Sequence, residues 1–95
     1  MLNKDEKLKL ASYVLVSGYR ERVLTILNEK GYMTPKYIAK HCNVRINHIS
    51  KTLKELKTNG LIFCINEEAR KGRLYHITPS GYEVLKLIPK LKEME

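Results

Sequence analysis

The stretch from residue 34 to residue 60 constrains the fold more than any other part of the sequence. Thr34 and Pro35 predict a helix start, because threonine supplies a capping oxygen and proline fits the first helical position. Asn43 predicts a tight turn, since asparagine tolerates the left-handed conformation. A second helix is expected to begin after residue 44 and to end near Gly60, where glycine suits the position past the helix end. Two short helices with a tight turn between them follow from this pattern.

Each of these two helices has one apolar face. The inner positions of the first are Ile38, Ala39 and Cys42, and those of the second, at i, i+4 and i+7, are Ile49, Leu53 and Leu56. About three residues join the helices, and the small Ala39 lies where they would cross. This combination predicts a helix-turn-helix.

The outward face of the second helix is polar and basic. With the apolar stripe turned toward the core, the opposite side presents Asn47, Lys51, Lys54 and Thr58, flanked by His48 and Ser50. Amides and hydroxyls of this kind can read base edges, and ammonium groups can contact phosphate. An ordinary solvated helix face has a similar composition, so this face taken alone leaves both interpretations open.

The basic charge is concentrated in the same region. The chain has a net charge of +8, and residues 36–58 hold six cations against Glu55 alone. This predicts an acidic partner, either nucleic acid or an anionic membrane surface. Membrane binding would need a broad apolar face open to lipid, whereas the apolar residues here are assigned to a core. The expected partner is nucleic acid, with no membrane contact. The first residues lack the apolar segment of a signal peptide, so the expected location is the cytoplasm, at the nucleoid.

Two strand-like runs follow the second helix. Residues 61–65 are wholly apolar, residues 74–78 alternate, and the loop between them carries Gly72 among three cations: Arg70, Lys71 and Arg73. The pattern predicts a β-hairpin with a basic tip. Glu67 and Glu68 are expected on the side of the hairpin away from phosphate.

The remaining segments predict helices. Residues 5–16 have a helical apolar face, although a strand competes there. Residues 19–29 form a second amphipathic run, with Val23, Ile26 and Leu27 on its inner face. Thr78 and Pro79 repeat the cap-then-proline signal, and the last helix carries Leu85, Ile88 and Leu91 along one face. Pro89 should kink or end that helix. The predicted fold class is α+β and mostly helical, in the order helix, helix, turn, helix, hairpin, helix.

Three segments carry a resemblance to a known family: "YVLVSGYRERVLTIL", "TPKYIAKHCNVRINHISKTLKELKTNGLI" and "ARKGRLYHITPSGYEVL". They resemble the winged helix-turn-helix DNA-binding domains, in particular MarR/ArsR-like transcriptional regulators of archaeal type, over roughly residues 13–88. The resemblance implies a single winged-helix domain over 1–95, with a three-helix helix-turn-helix core, a β-hairpin wing and flanking N- and C-terminal helices. Residues 1–17 would be the N-terminal flanking segment, 18–78 the helix-turn-helix and wing, and 79–95 the C-terminal helix.

The function implied by this resemblance is sequence-specific binding of double-stranded DNA by a transcriptional regulator. The expected recognition-helix contacts are Arg45, Asn47, His48, Ser50, Lys51 and Lys54, the expected wing contacts are Arg70, Lys71 and Arg73, and the expected backbone contacts are Thr34, Lys36 and Lys40. Two alternatives stay open: a winged-helix module for protein–protein assembly, and a chromatin-like protein that binds DNA without sequence preference.

The start of the recognition helix departs from the family pattern. Arg45 stands where the family usually has a capping Ser or Thr, which costs about 1 kcal/mol of capping and leaves a guanidinium that could contact a phosphate or a base. Ile46 could touch a thymine methyl or pack under the turn, and packing is the favoured expectation.

No catalytic motif is recognisable, so we expect no enzyme activity and no cofactor. The candidate metal ligands His41, His48, His76, Cys42 and Cys64 lack the close paired spacing of a zinc site, and both thiols are expected to be buried and unbridged. A homodimer is expected through the N-terminal segment and the C-terminal helix, because both carry apolar residues beyond what a small core needs.

Overall fold

The computed structural model describes residues 2–94, which form five helices and a two-stranded antiparallel hairpin. The elements are α1 (Lys4–Leu15), α2 (Gly18–Lys30), α3 (Pro35–Cys42), α4 (Ile46–Thr58), β1 (Ile62–Cys64), β2 (Tyr75–Ile77) and α5 (Pro79–Glu93). The predicted fold class is confirmed, and α1 precedes the predicted series of helix, helix, turn, helix, hairpin and helix. None of the helices within this part of the chain combines the length and apolar character that crossing a membrane requires.

Local capping explains most of the helix boundaries. Thr34 Oγ1 accepts a hydrogen bond from Tyr37 N–H (3.3 Å), and Thr78 Oγ1 accepts one from Gly81 N–H (2.9 Å). Both cap-then-proline predictions are therefore confirmed. Asn43 ends α3 in the left-handed conformation, with φ 55°, as expected.

The first segment is a helix rather than the competing strand. Its start has a reciprocal capping box: Asn3 Oδ1 accepts from Glu6 N–H (2.8 Å), and Glu6 Oε1 accepts from Asn3 N–H (3.1 Å). This arrangement satisfies backbone donors that an uncapped helix would leave unpaired.

A single core lies between the helix-turn-helix and the two flanking helices. The predicted inner faces of α3 and α4 are buried, as is Ile88 of α5. The α2 prediction was partly wrong, because Leu24 is fully buried while Ile26 is only partly so. The largest fully buried side chains are Leu24, Leu27, Ile38, Ile49, Leu53, Leu56, Leu61, Ile62, Ile88, Val14, Val23 and Val84.

The hairpin is bonded to the start of the helix-turn-helix. Its register pairs Ile62 with Ile77 and Cys64 with Tyr75. On the other side of β2, Met33 exchanges two backbone hydrogen bonds with Tyr75, at 3.1 and 2.9 Å. These bonds hold the base of the hairpin against Met33, the residue that precedes the Thr34 cap. The position of the wing relative to α3 is therefore fixed by the backbone.

The expectation that Pro89 might end the last helix was wrong, because α5 continues through it to Glu93. Proline removes only one donor, and packing of Val84 and Ile88 in the core holds the helix on either side of the lost bond. Lys92 Nζ also contacts Glu21 Oε2 of α2 at 2.7 Å, which attaches the final turns to the domain.

The two flanking helices pack against each other within the chain. Their partly buried apolar residues lie against the core, namely Leu10, Tyr13, Leu15, Leu85, Leu87 and Leu91, as does Leu2 just before α1. Much of the apolar surface that the sequence suggested for a dimer is therefore used inside the domain, although Leu8 and Tyr82 stay exposed.

Candidate nucleic-acid interface

The predicted recognition face of α4 is exposed along its length. Asn47, His48, Ser50, Lys51 and Lys54 are all exposed, on the side opposite the buried stripe of the helix. Among residues 2–94, the ring of Tyr19 lies 5.8 Å from that of His48, and the face remains exposed and available to a ligand. Their role as base or phosphate contacts stays a prediction.

The first turn of α4 has an unusual cap. Arg45 occupies the capping position in an extended conformation and makes no side-chain cap bond. Instead, the Oδ1 of Asn47 accepts a hydrogen bond from the backbone N–H of His48 (3.0 Å), which satisfies one of the unpaired donors of this helix end. The Arg45 side chain is exposed, as its predicted contact with DNA requires.

The favoured expectation that Ile46 packs under the turn was wrong, since the side chain is 49% exposed. Val44 is the residue that packs against the core at this turn. Its backbone N–H also bonds to Ala39 O at 3.0 Å, so the turn closes without help from Ile46. Ile46 therefore presents an apolar surface to solvent beside the recognition face.

α3 adds cations to one side of this face. Lys36 and Lys40 are exposed, and Lys40 lines a shallow depression around the turn together with Arg45. Thr34 is half-buried, and its hydroxyl oxygen is occupied as the cap acceptor. Its O–H remains available to donate to a phosphate.

The tip of the wing is held in shape by Asn66, a residue that the sequence analysis did not single out. Asn66 Oδ1 accepts from the backbone N–H of Leu74 (2.8 Å), and Asn66 Nδ2 donates to Gly72 O (3.1 Å). Gly72 has φ 70°, in the left-handed region that favours glycine. An asparagine directly after an apolar strand is a turn signal that could have revealed this role.

The three wing cations are exposed on this closed loop. Arg73 is also bonded within the loop, because its Nε donates to Ala69 O at 2.8 Å. That bond uses one nitrogen of the guanidinium and leaves both Nη groups for another acceptor. Arg70, Lys71 and Arg73 therefore project from a loop of defined geometry.

The structure brings α4 and the wing together around one groove, which we call the α4–wing groove. Its volume is about 460 Å³, and it is lined by Pro35, Ser50, Leu53, Lys54, Lys57, Arg70, Arg73 and Tyr75. Four of the lining residues are cations, two from the helix and two from the hairpin loop. Among the predicted site residues, Ser50, Lys54, Arg70 and Arg73 thus meet in one place.

Two ion pairs alter the charge of this region. Glu55, the one acid among residues 36–58, faces α2, where its Oε2 lies 3.4 Å from Arg20 Nη2. Glu67 does not lie away from the cationic surface, as the sequence analysis expected, but forms an ion pair with Lys57 of the groove. Their hydrogen bond raises the pKa of the Lys57 ammonium and lowers the pKa of the Glu67 carboxyl, which Arg73 lowers further.

The two thiols differ in their surroundings. Cys42 is buried as expected, and burial raises its pKa against a smaller opposite effect of Arg22. The expectation for Cys64 was wrong, because this residue is only half-buried and its Sγ lies 3.5 Å from Asn66 Oδ1. Within residues 2–94, no group of three or more His, Cys, Asp and Glu side chains is arranged to hold a metal ion.

Comparison with known proteins identifies a similar curated protein. No protein-family model matches the sequence. The chain is 36% identical over 73 residues to YdgG of Bacillus subtilis, described as an uncharacterized HTH-type transcriptional regulator. The alignment covers 74% of this chain and 48% of that protein, so the chain spans about half the length of the curated relative it matches.

Solved structures show the same fold. RV1404 from Mycobacterium tuberculosis has a TM-score of 0.76 and 16% identity, over 95% of this chain and 60% of its own. A mutant MarR from E. coli complexed with operator DNA has a TM-score of 0.71 and 20% identity, over 92% of this chain and 66% of its own. The chain therefore has the winged-helix fold of MarR-type regulators. The archaeal type stays a prediction, because these three proteins come from bacteria.

Proposed function

We propose that this chain is a winged-helix domain that binds double-stranded DNA with sequence preference and regulates transcription. The observation that carries the proposal is the α4–wing groove, where Lys54, Arg70 and Arg73 from two separate elements converge beside the exposed polar face of α4. An exposed α-helix fits the major groove of DNA, and convergent cations fit its phosphates. An E. coli MarR of the same fold is complexed with operator DNA, which supports the proposal.

The proposed roles divide by side-chain chemistry. In this proposal, the exposed Asn47 and Ser50 donate to and accept from base edges, while Lys54 and the wing cations contact one phosphate backbone. Lys36, Lys40 and Arg45, with the Thr34 hydroxyl, contact the backbone on the other side of the recognition helix. Lys51 and His48 lie between the two groups on the exposed face. This role needs no catalytic group or cofactor, and we propose neither.

The charged character of the surface favours DNA over the assembly alternative. A protein–protein interface concentrates apolar residues and depletes charge at its centre. The α4–wing groove has the opposite composition, because four of its lining residues are cations. DNA binding in turn places the protein at the nucleoid.

Selection of duplexes from a random pool, followed by affinity measurement across a salt series, tests the proposal. We expect the selected site to bind at least about 10³-fold more tightly than random duplex at physiological salt. Equal affinities for the two duplexes would support the chromatin-like alternative. Absence of salt-dependent binding to any duplex would refute DNA binding and favour the assembly module.

We further infer that the chain acts as a homodimer through α1 and α5. Leu8 on α1 and Tyr82 on α5 are 36% and 44% exposed, although both are large apolar or aromatic side chains. A two-fold dimer would place two recognition helices about one helical turn apart, roughly 34 Å, and would match a palindromic site.

A further inference from the structure

One carboxylate lies among the cations of the α4–wing groove. Lys57 belongs to α4 and lines the groove, and Glu67 reaches it from the hairpin loop to form an ion pair. Arg73, another lining residue, lies close enough for its charge to lower the pKa of the Glu67 carboxyl. The carboxylate is therefore paired with one of the four cations that would meet DNA phosphate, Lys57, and lies near the charge of a second, Arg73.

This ion pair is open to water. The side chains of Lys57 and Glu67 are 41% and 54% exposed. Exposed ion pairs contribute little to stability, because water and salt screen them and two long side chains must be ordered. The pair is therefore poorly suited to clamp the wing onto α4. It is well suited to exchange, since a phosphate oxygen and a carboxylate oxygen offer an ammonium group the same kind of charge-assisted hydrogen bond.

We propose that Glu67 acts as a built-in competitor for DNA phosphate at Lys57 and thereby weakens binding to random DNA. The inference rests on the DNA-binding role proposed above. When a random duplex binds through its phosphates alone, either a phosphate displaces Glu67 from Lys57 or that cation makes no contact with DNA. In addition, the Glu67 carboxylate then lies beside the phosphates and repels them. A preferred sequence gains further contacts from the polar face of α4, which offset this repulsion. Glu67 therefore lowers the affinity for random duplex, where no such contacts compensate for its charge.

The chain offers a matched control for the charge change. Glu68 is the next residue, is exposed, and forms no ion pair among the residues that the structure describes. Glu67→Gln and Glu68→Gln remove the same charge from adjacent positions of one loop. Their difference therefore isolates the contact with Lys57 from the change in net charge.

The measurement is the affinity of the full chain for a random-sequence duplex, by fluorescence anisotropy over a salt series. We expect Glu67→Gln to raise affinity roughly two- to fivefold, the range that one exposed ion pair supports. The plot of log affinity against log salt should steepen by up to about 0.9, because one more cation is free to release a counterion from DNA. Glu68→Gln should change neither quantity by a comparable amount.

A second variant tests whether the effect passes through Lys57. In a Lys57→Gln background, Glu67→Gln should give a smaller gain, because the cation that it frees is absent and only the repulsion between the carboxylate and phosphate is relieved. The four proteins form a double-mutant cycle whose coupling term reports the contact itself. A gain of the same size in both backgrounds would overturn the proposal.

Two further outcomes would also overturn it. If Glu67→Gln and Glu68→Gln behave alike, the ion pair has no role in binding. If Glu67→Gln lowers affinity, the pair positions the wing rather than competing with DNA. In both cases the wild type still binds duplex, so these outcomes refute only the proposed role of Glu67. If neither the wild type nor any variant binds duplex, the DNA-binding function itself is refuted.

Discussion

Simultaneous replacement of Arg70, Lys71 and Arg73 by alanine should weaken the electrostatic part of DNA binding. Arg70 and Arg73 line the α4–wing groove, and each phosphate that they neutralise contributes a slope of roughly 0.9 to log affinity against log salt. Two lost contacts make the slope shallower by about 1.8, and a third contact from Lys71 at the exposed tip would bring the change to about 2.7. With a slope that is shallower by about 1.8, raising the salt from roughly 50 to 200 mM should reduce the affinity of the variant by a factor about ten times smaller than that of the wild type.

The assay is duplex binding by fluorescence anisotropy across that salt range, with a control that removes the same charge elsewhere. Lys4, Lys9 and Lys90 are exposed on α1 and α5, outside α3, α4 and the wing, which are the elements proposed to contact DNA. Their triple alanine variant has the same net charge as the wing variant. It should retain most of the wild-type slope, because counterion release counts contacts rather than net charge.

The wing variant should remain folded. It loses the bond from Arg73 Nε to Ala69 O, worth about 1 kcal/mol, but keeps Gly72 and the two loop bonds of Asn66. Thermal unfolding followed by circular dichroism checks this point. A folded wing variant with wild-type affinity and slope would refute the argument, because the wing would then not touch DNA.

Three further predictions concern the wing, the close contact of α5 with the hairpin, and the dimer. Asn66→Ala should speed amide exchange at Leu74 and reduce DNA affinity, whereas Asn66→Asp keeps the acceptor for Leu74 N–H and should affect exchange there less. Gly81→Ala should lower the free energy of unfolding by roughly 1–3 kcal/mol, since an added Cβ would lie 2.1 Å from Leu61 O. Chemical denaturation measures this change, and a curve that shows the usual stabilisation by Gly→Ala in a helix would contradict the prediction. Sedimentation at micromolar concentration should show a dimer that the Leu8→Glu, Tyr82→Glu double variant converts to a folded monomer, and a monomeric wild type would refute the dimer.

The parts of the fold that the sequence predicted are those set by local chemistry. Thr34 and Thr78 cap the backbone three residues ahead, and Asn43 adopts its left-handed turn through its own short side chain. Each of these signals depends only on residues within one helical turn. The helical periodicity of Ile49, Leu53 and Leu56 is equally local, and their burial follows it.

The features that the sequence did not predict depend on residues far apart in the chain. Pro89 is tolerated in α5 because the helix packs on the core and on α1, neither of which is adjacent in sequence. Leu24 rather than Ile26 is buried because five other elements pack against α2 and determine which side of it faces the core. Packing between elements decides which side of a helix faces the core, so the periodicity of one helix does not predict it.

The candidate site shows the same division. The sequence identified the cations, and the structure shows which of them are already paired. Lys57 has its partner in Glu67, and Glu55 is directed to Arg20 rather than to the recognition face. Counting charges along the chain therefore overestimates the contribution of Lys57 to phosphate binding and overestimates the repulsion from Glu55. The surface offered to DNA is determined by which cations have no ion-pair partner among residues 2–94, and on α4 these include Lys51 and Lys54 but not Lys57. Lys54→Gln should therefore flatten the salt dependence of binding more than Lys57→Gln, although the two substitutions remove the same charge from one helix.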